Sequence, residues 1–134
     1  MRRHIRWVPE AAVRAMHAEL IAEHGGRAGI RDQGLLSSAL ARPRNRRVYG
    51  ASTTLFELAA GYGVGILRNH PFIDGNKRLA LMVMYVFLEI NAYCLAASEV
   101  DAADKMLRLA AGELKEGDLA RWLKANSHAS PKSG

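Results

Sequence analysis

"HPFIDGNKRLALMVMYVFLEI" occupies His70–Ile90. Its two halves ask different things of a fold. Past its first turn, Asn76–Ile90 is apolar on nearly every side of a helix, and such a helix is enclosed by its neighbours. This predicts an all-α domain around a central buried helix at 76–90, ended by Asn91 in a left-handed conformation. Ahead of that helix, HPFIDGNKR packs an imidazole, a carboxylate, an amide and two cations into nine residues. Groups so costly to desolvate, at the mouth of the greasiest segment, call for a chemical reason.

The place of the motif supplies one. A helix N-terminus has unpaired N–H groups and the positive end of the helix dipole, which makes it an anion site. Gly75 lets a ligand oxygen approach the backbone closely. Asn76 adds an amide donor, and Lys77 and Arg78 add fixed charge. Together these are the parts of a phosphate cradle. His70 suits a general base acting on a hydroxyl. Asp74 is a suitable Mg²⁺ ligand beside phosphates. Phe72, apolar in a polar run, is expected to anchor the loop in the core. Taken singly, each polar residue has a plain reading as a structural histidine, a helix cap or a solvated first turn. Two cations in a first turn, however, oppose the dipole unless an anion sits there.

Outward from the motif the pattern stays helical. Val13, Met16, Leu20 and Ile21 recur at helical spacing after Pro9, which suits a first turn, and Gly25-Gly26 stops that helix. A short second helix is capped by Asp32, buries Leu35, Leu36, Ala39 and Leu40, and ends at Pro43. The stretch 42–50, RPRNRRVYG, has no helical period and is expected as a loop or short hairpin. A third helix starts at Thr54 in a capping box with Glu57. Its glycines, Gly61, Gly63 and Gly65, imply either close backbone packing or an early end. Ser98 caps a fifth helix carrying Val100, Met106, Leu107 and Leu109. Asp118 caps a sixth with Leu119, Trp122 and Leu123. The expectation is one domain of about six helices over 1–126 and a disordered polar tail at 127–134.

Composition narrows the function. The chain has 134 residues, 49% of them hydrophobic, enough for one core. Its longest apolar stretch, Leu79–Leu88, is far short of the ~20 residues of a membrane span. The N-terminal MRRHIRW lacks the apolar run of a signal peptide. The single cysteine, Cys94, excludes an intrachain disulfide, and a cytoplasmic location is the default. The net charge of +6 favours anionic partners. RPRNRR raises a nucleic-acid-binding module as a rival, but that reading lacks interleaved aromatics and leaves His70 and Asp74 unexplained.

His70–Arg78 resembles the signature of the Fic/Doc family, H-P-F-x-[D/E]-G-N-G/K-R, at every specified position. GGRAGIRDQGLLSSALARPRN, Gly25–Asn45, is similar to the corresponding segment of the death-on-curing (Doc) branch. The resemblance covers roughly Ile5 to Asn126 and implies an all-α Fic fold. It implies transfer of part of a nucleotide, such as ATP with Mg²⁺, to a hydroxyl of a target protein. By position, His70 would be the general base and Asp74 would bind Mg²⁺. Gly75, Asn76, Lys77 and Arg78 would hold phosphates. Arg68 matches a basic residue near the Doc active site. The irregular stretch Arg44, Asn45, Arg46, Arg47, Val48, Tyr49 and Gly50 falls where the family has a target-aligning flap.

Departures from the motif choose between branches. AMP-transferring members usually have Gly at the position of Lys77 and a second arginine at the position of Leu81. Doc toxins share the Lys77 and Leu81 features and phosphorylate elongation factor Tu. Against this, Gly75 is the residue of the AMP-transferring motif, where the best-known Doc motif has alanine. The inhibitory S/T-x-x-x-E-G/N helix of many members has its nearest match at Thr53…Glu57, but Leu58 follows. The Doc resemblance therefore implies a separate, Phd-like antitoxin, and AMP transfer is the runner-up.

Overall fold

The computed structural model describes residues 4–49 and 53–131. Six helices and two short strands run in the order α1 Glu10–His24, α2 Gln33–Tyr49, α3 Leu55–Asn69, α4 Asn76–Ile90, β1 Tyr93–Leu95, α5 Glu99–Ala110, α6 Glu116–Ala125 and β2 Ser127–Ala129 among the described residues. The class is all-α, as expected. No helix among the described residues is long and apolar enough to cross a membrane.

Several ends follow the local chemistry read from the sequence. Thr54 and Glu57 close a reciprocal capping box at α3, each bond 3.1 Å. The Asp32 carboxylate accepts from the Leu35 N–H at 2.9 Å and starts α2. Ser98 accepts from the Asp101 N–H at 3.1 Å and starts α5. Gly25, at φ 82°, ends α1. Pro9 stands just outside α1 as its extended cap rather than in the first turn. The cap of α6 is Lys115; Asp118 lies in the first turn and accepts from the Lys115 N–H at 3.3 Å.

The largest correction is at Pro43. It does not end α2, which continues to Tyr49, so Arg44–Tyr49 is helical and not an irregular flap; Gly50 lies outside the described residues. A proline inside a helix costs a hydrogen bond to the carbonyl four residues back, here Ala39. The packing face offsets this. Ala39 and Pro43, one turn apart, lie against Gly65 and Gly61 of α3. A Cβ on Gly65 would stand 3.0 Å from the Ala39 carbonyl oxygen, and one on Gly61 3.5 Å from Pro43 Cγ. The basic end is also held electrostatically. Arg42 and Arg46 both pair with Glu116 of α6, and Arg46 pairs with Glu57 of α3 at 2.7 Å.

The same small residues make α3, not α4, the enclosed helix. Every residue from Leu58 to Ile66 is buried. Helices α2, α4, α5 and α6 all pack against it. In α4, Leu79, Val83, Met84, Phe87 and Leu88 are buried, while Leu81, Met82, Tyr85 and Val86 are only half-buried. Asn91 is not left-handed (φ −108°); Ala92 takes that turn at φ 71°. The Asn91 side chain instead accepts from the Arg6 N–H and donates to the Arg6 carbonyl, both at 2.9 Å, pinning the N-terminal segment.

Ser127–Ala129, expected as disordered tail, pairs antiparallel with Tyr93–Leu95, Cys94 facing His128. Residues 132–134 lie outside the described residues. On α5, Met106 is core as expected, but Val100 and Leu107 are 81% and 58% exposed. That helix is fastened to α6 at its other face, where Trp122 Nε1 donates to Asp101 at 2.7 Å.

Candidate active site

The loop between α3 and α4 is built from two left-handed residues and a plug. His70 (φ 49°, ψ 55°) caps α3, and Gly75 (φ 79°) caps α4. Between them Phe72 is 2% exposed, as its apolar character predicts. The Asn76 side chain locks it, accepting from the Phe72 N–H at 3.1 Å and donating to the Phe72 carbonyl at 2.9 Å. From α1, the buried His17 stacks on the Phe72 ring with centroids 3.8 Å apart. His17 Nε2 lies 2.8 Å from the Asp74 carbonyl, which can only accept, so that nitrogen carries the proton. The segment after α1 runs alongside. Ile73 N–H donates to Gly29 at 3.1 Å, and Ile30 bridges antiparallel to Phe72.

A cleft of about 1080 Å³ opens over this loop. His70, Asp74, Gly75, Asn76, Lys77 and Arg78 all line it, with Leu81 and Tyr85 continuing the α4 wall. Glu99, Ala102, Ala103, Met106 and Leu107 of α5 form the facing wall. One end is thus cationic and the other largely apolar. Gly75 offers no side-chain cap to α4, so the first-turn N–H groups stay open at the cationic end. Lys77 and Arg78 are exposed and form no ion pair among the described residues.

Asp74 is exposed, and its Oδ2 accepts from the Arg27 N–H at 2.9 Å. Its Oδ1 has no protein partner among the described residues. A carboxylate steadied by one backbone amide, with its other oxygen open beside a cationic cradle, fits the one-carboxylate ligation typical of Mg²⁺.

Two expected ligands are placed differently. The Asn76 side chain is spent on Phe72, which leaves its backbone N–H to offer. Arg68 does not line the cleft. It borders a separate cavity of about 280 Å³ that shares Leu67 and Ala110 with the cleft. None of Arg44–Arg47 lines the cleft either. Arg44 lies over the Trp7 ring at 5.3 Å and Arg46 is salt-bridged. Glu57, in the nearest match to an inhibitory segment, is held by Thr54 and Arg46 and is not part of the cleft lining.

His17, Tyr85 and Glu99 carry no motif, and the sequence reading missed them. His17 falls on the buried face of α1 beside Met16, one residue off the apolar spacing used to find that helix; a polar residue on such a face was the available signal. Burial pushes the Tyr85 phenol up, with Cys94 and Glu99 adding to the shift.

Comparison with known proteins identifies the family. The model of the Fic/DOC family matches residues 7–88. The chain is 43% identical over 86 residues to Toxin Doc of Mycolicibacterium smegmatis, a match covering 62% of this chain and 65% of that protein, just under two thirds of its length. It is 35% identical over 122 residues to Protein kinase doc of Escherichia phage P1, covering 91% of this chain and 94% of that one. The chain belongs to the Fic/DOC family.

Proposed function

We propose that this chain is a Doc-like toxin that transfers the γ-phosphate of ATP to a serine or threonine hydroxyl of a translation factor of the elongation factor Tu type, halting translation. The observation carrying this reading is that His70, Asp74 and the uncapped N-terminus of α4, with Lys77 and Arg78, line one cleft. The names of the two relatives, a toxin and a protein kinase, support it.

In this mechanism the His70 imidazole takes the proton of the target hydroxyl. The hydroxyl oxygen bonds to the γ-phosphorus as the bond to the β–γ bridging oxygen breaks, and ADP leaves. The backbone N–H groups of Asn76 and Lys77, and the Lys77 and Arg78 side chains, hold the phosphates and meet the charge that spreads over them. Asp74 would hold Mg²⁺, which supplies charge neutralisation at the phosphates when bound. The choice of phosphorus rests on Lys77 and Leu81. A bulky cation at 77, and no arginine at 81, disfavour seating the terminal phosphates deep at the helix start with the α-phosphorus toward His70. A reversed nucleotide presents the γ-phosphorus.

With Glu57 outside the cleft, inhibition falls to a separate Phd-like antitoxin, and the cationic end of the cleft favours an acidic segment in it. The cytoplasm, where ATP and translation factors are found, is the matching location. The basic stretch 42–47 supports nucleic-acid binding poorly, because Arg42 and Arg46 are neutralised by Glu116 and Glu57.

Intact-mass measurement of the elongation factor after incubation with the chain, ATP and Mg²⁺ tests the proposal. Addition of one phosphate with release of ADP is expected. Addition of AMP with release of pyrophosphate would move the chain to the AMP-transferring branch, with Gly75 the better guide. An unmodified factor would remove this target.

A further inference from the structure

His70 adopts φ 49° and ψ 55°, a left-handed conformation that costs a non-glycine residue energy. Glycine is the usual residue at such a helix end, but glycine has no imidazole. The strain must therefore be held in place by neighbours. No described residue holds the ring of His70. The backbone, by contrast, is held on three successive carbonyls. Arg31 Nε donates to the His70 carbonyl at 2.7 Å, and Arg31 Nη2 donates to the Asn69 carbonyl at 2.8 Å. The Arg31 and Asp32 N–H groups donate to the Pro71 carbonyl at 2.7 and 3.1 Å. The Asn69 side chain donates in turn to the Leu35 carbonyl at 2.9 Å.

A planar guanidinium fork that bonds two adjacent carbonyls accepts only one relative orientation of the two peptide planes. Here that orientation is the right-to-left-handed reversal that turns the His70 side chain out of α3. The cation also sits at the negative end of the α3 dipole, where it is favoured. Histidine bases are commonly oriented through the second ring nitrogen. In this chain the orientation is imposed through the main chain instead.

We infer that Arg31 is a positioning residue for His70: its fork on the Asn69 and His70 carbonyls sets the backbone reversal that aims the imidazole into the cleft. The inference rests on the reading of His70 as general base. Arg31 is not among the residues that line the cleft. Its loss should lower transfer without altering ATP binding.

The test compares Arg31→Ala and Arg31→Lys in the full chain, each with His70 intact and with His70→Ala. Arg31→Ala is expected to lower the transfer rate about tenfold with KM for ATP unchanged, the factor that one strained residue represents in population. Arg31→Lys, with one point donor in place of the fork, should fall between. In the His70→Ala background Arg31→Ala should cost nothing further. A merely structural role would cost the same factor in both backgrounds, and that result overturns the inference. A second readout needs no activity. The HN–Hα coupling and ring resonances of His70 in the free protein should change in Arg31→Ala. Unchanged His70 signals would overturn the inference even if the rate fell. If the wild-type chain transfers nothing, the proposed function fails, and these His70 signals alone decide whether Arg31 holds the reversal.

Discussion

The ring nitrogen Nε2 of His17 lies 2.8 Å from the main-chain oxygen of Asp74, although 57 residues separate them. This contact, with the stacking of His17 on Phe72, ties α1 to the turn that starts α4. His17→Phe keeps an aromatic on Phe72 and removes only the donor. It should lower stability by about 1 kcal/mol, the worth of one hydrogen bond. Because the Asp74 peptide is then less constrained, transfer should also need more Mg²⁺. Urea unfolding and a Mg²⁺ titration check the two halves. Unchanged values in both would reduce His17 to core filling.

The glycines of α3 make a paired prediction. At Gly61 an added Cβ meets Pro43 Cγ at 3.5 Å, an ordinary contact, so Gly61→Ala should stabilise by up to about 1 kcal/mol through helix propensity. At Gly65 the Cβ meets the Ala39 carbonyl oxygen at 3.0 Å, and backbone does not yield cheaply. Gly65→Ala should destabilise by about 1–2 kcal/mol, overpacking outweighing the propensity gain. Thermal melts of the two variants should move in opposite directions.

That pair also explains what the sequence could and could not tell. Thr54-x-x-Glu57, Asp32 and Ser98 announced their helices because a cap is a local bond between near neighbours. The bounds of α4 were legible from its apolar run for the same reason. Pro43 was misread because its local cost is visible in sequence while its compensation, Gly61 and Gly65 on another helix, is not. The burial of α3 was underrated because glycine and alanine carry no apolar signal, yet they let neighbours close in from every side. Within the site, His70, Asp74, Gly75, Lys77 and Arg78 fall within one nine-residue stretch and share the cleft. Arg31 and His17 act on the loop from distant positions, and Asn76 turned out to be occupied by Phe72.

Glu57 gives stability a pH dependence. Its carboxyl is held below the ordinary value of 4.5 first by the Thr54 N–H, with the Thr54 side chain and Arg46 adding to the shift, against an opposing burial penalty that is second in size only to the Thr54 N–H. A carboxylate depressed on folding contributes stability above its unfolded value. That contribution is lost as pH falls through the folded one. Acid unfolding below about pH 4.5 should therefore be less steep in Glu57→Gln, which keeps the cap geometry without the charge. Equal slopes for both proteins between neutral and acid pH would show that the box contributes no charge-dependent stability.

Lys77 sets stability against binding. It stands in the first turn of α4, its charge facing the positive end of the helix dipole, and no carboxylate among the described residues offsets it. Such a cation costs a free helix about 0.3–1 kcal/mol. Lys77→Ala should therefore raise the melting temperature of the nucleotide-free chain. With ATP and Mg²⁺ present the order should reverse, because a bound phosphate turns the cation from a liability into a ligand and stabilises the wild type by mass action. Melting curves with and without ATP and Mg²⁺ for both proteins give all four values. A Lys77→Ala chain that is less stable without nucleotide, or that gains as much from nucleotide as the wild type, would mean that Lys77 is not facing the phosphates. The assignment of the reversed nucleotide would then lose its main support.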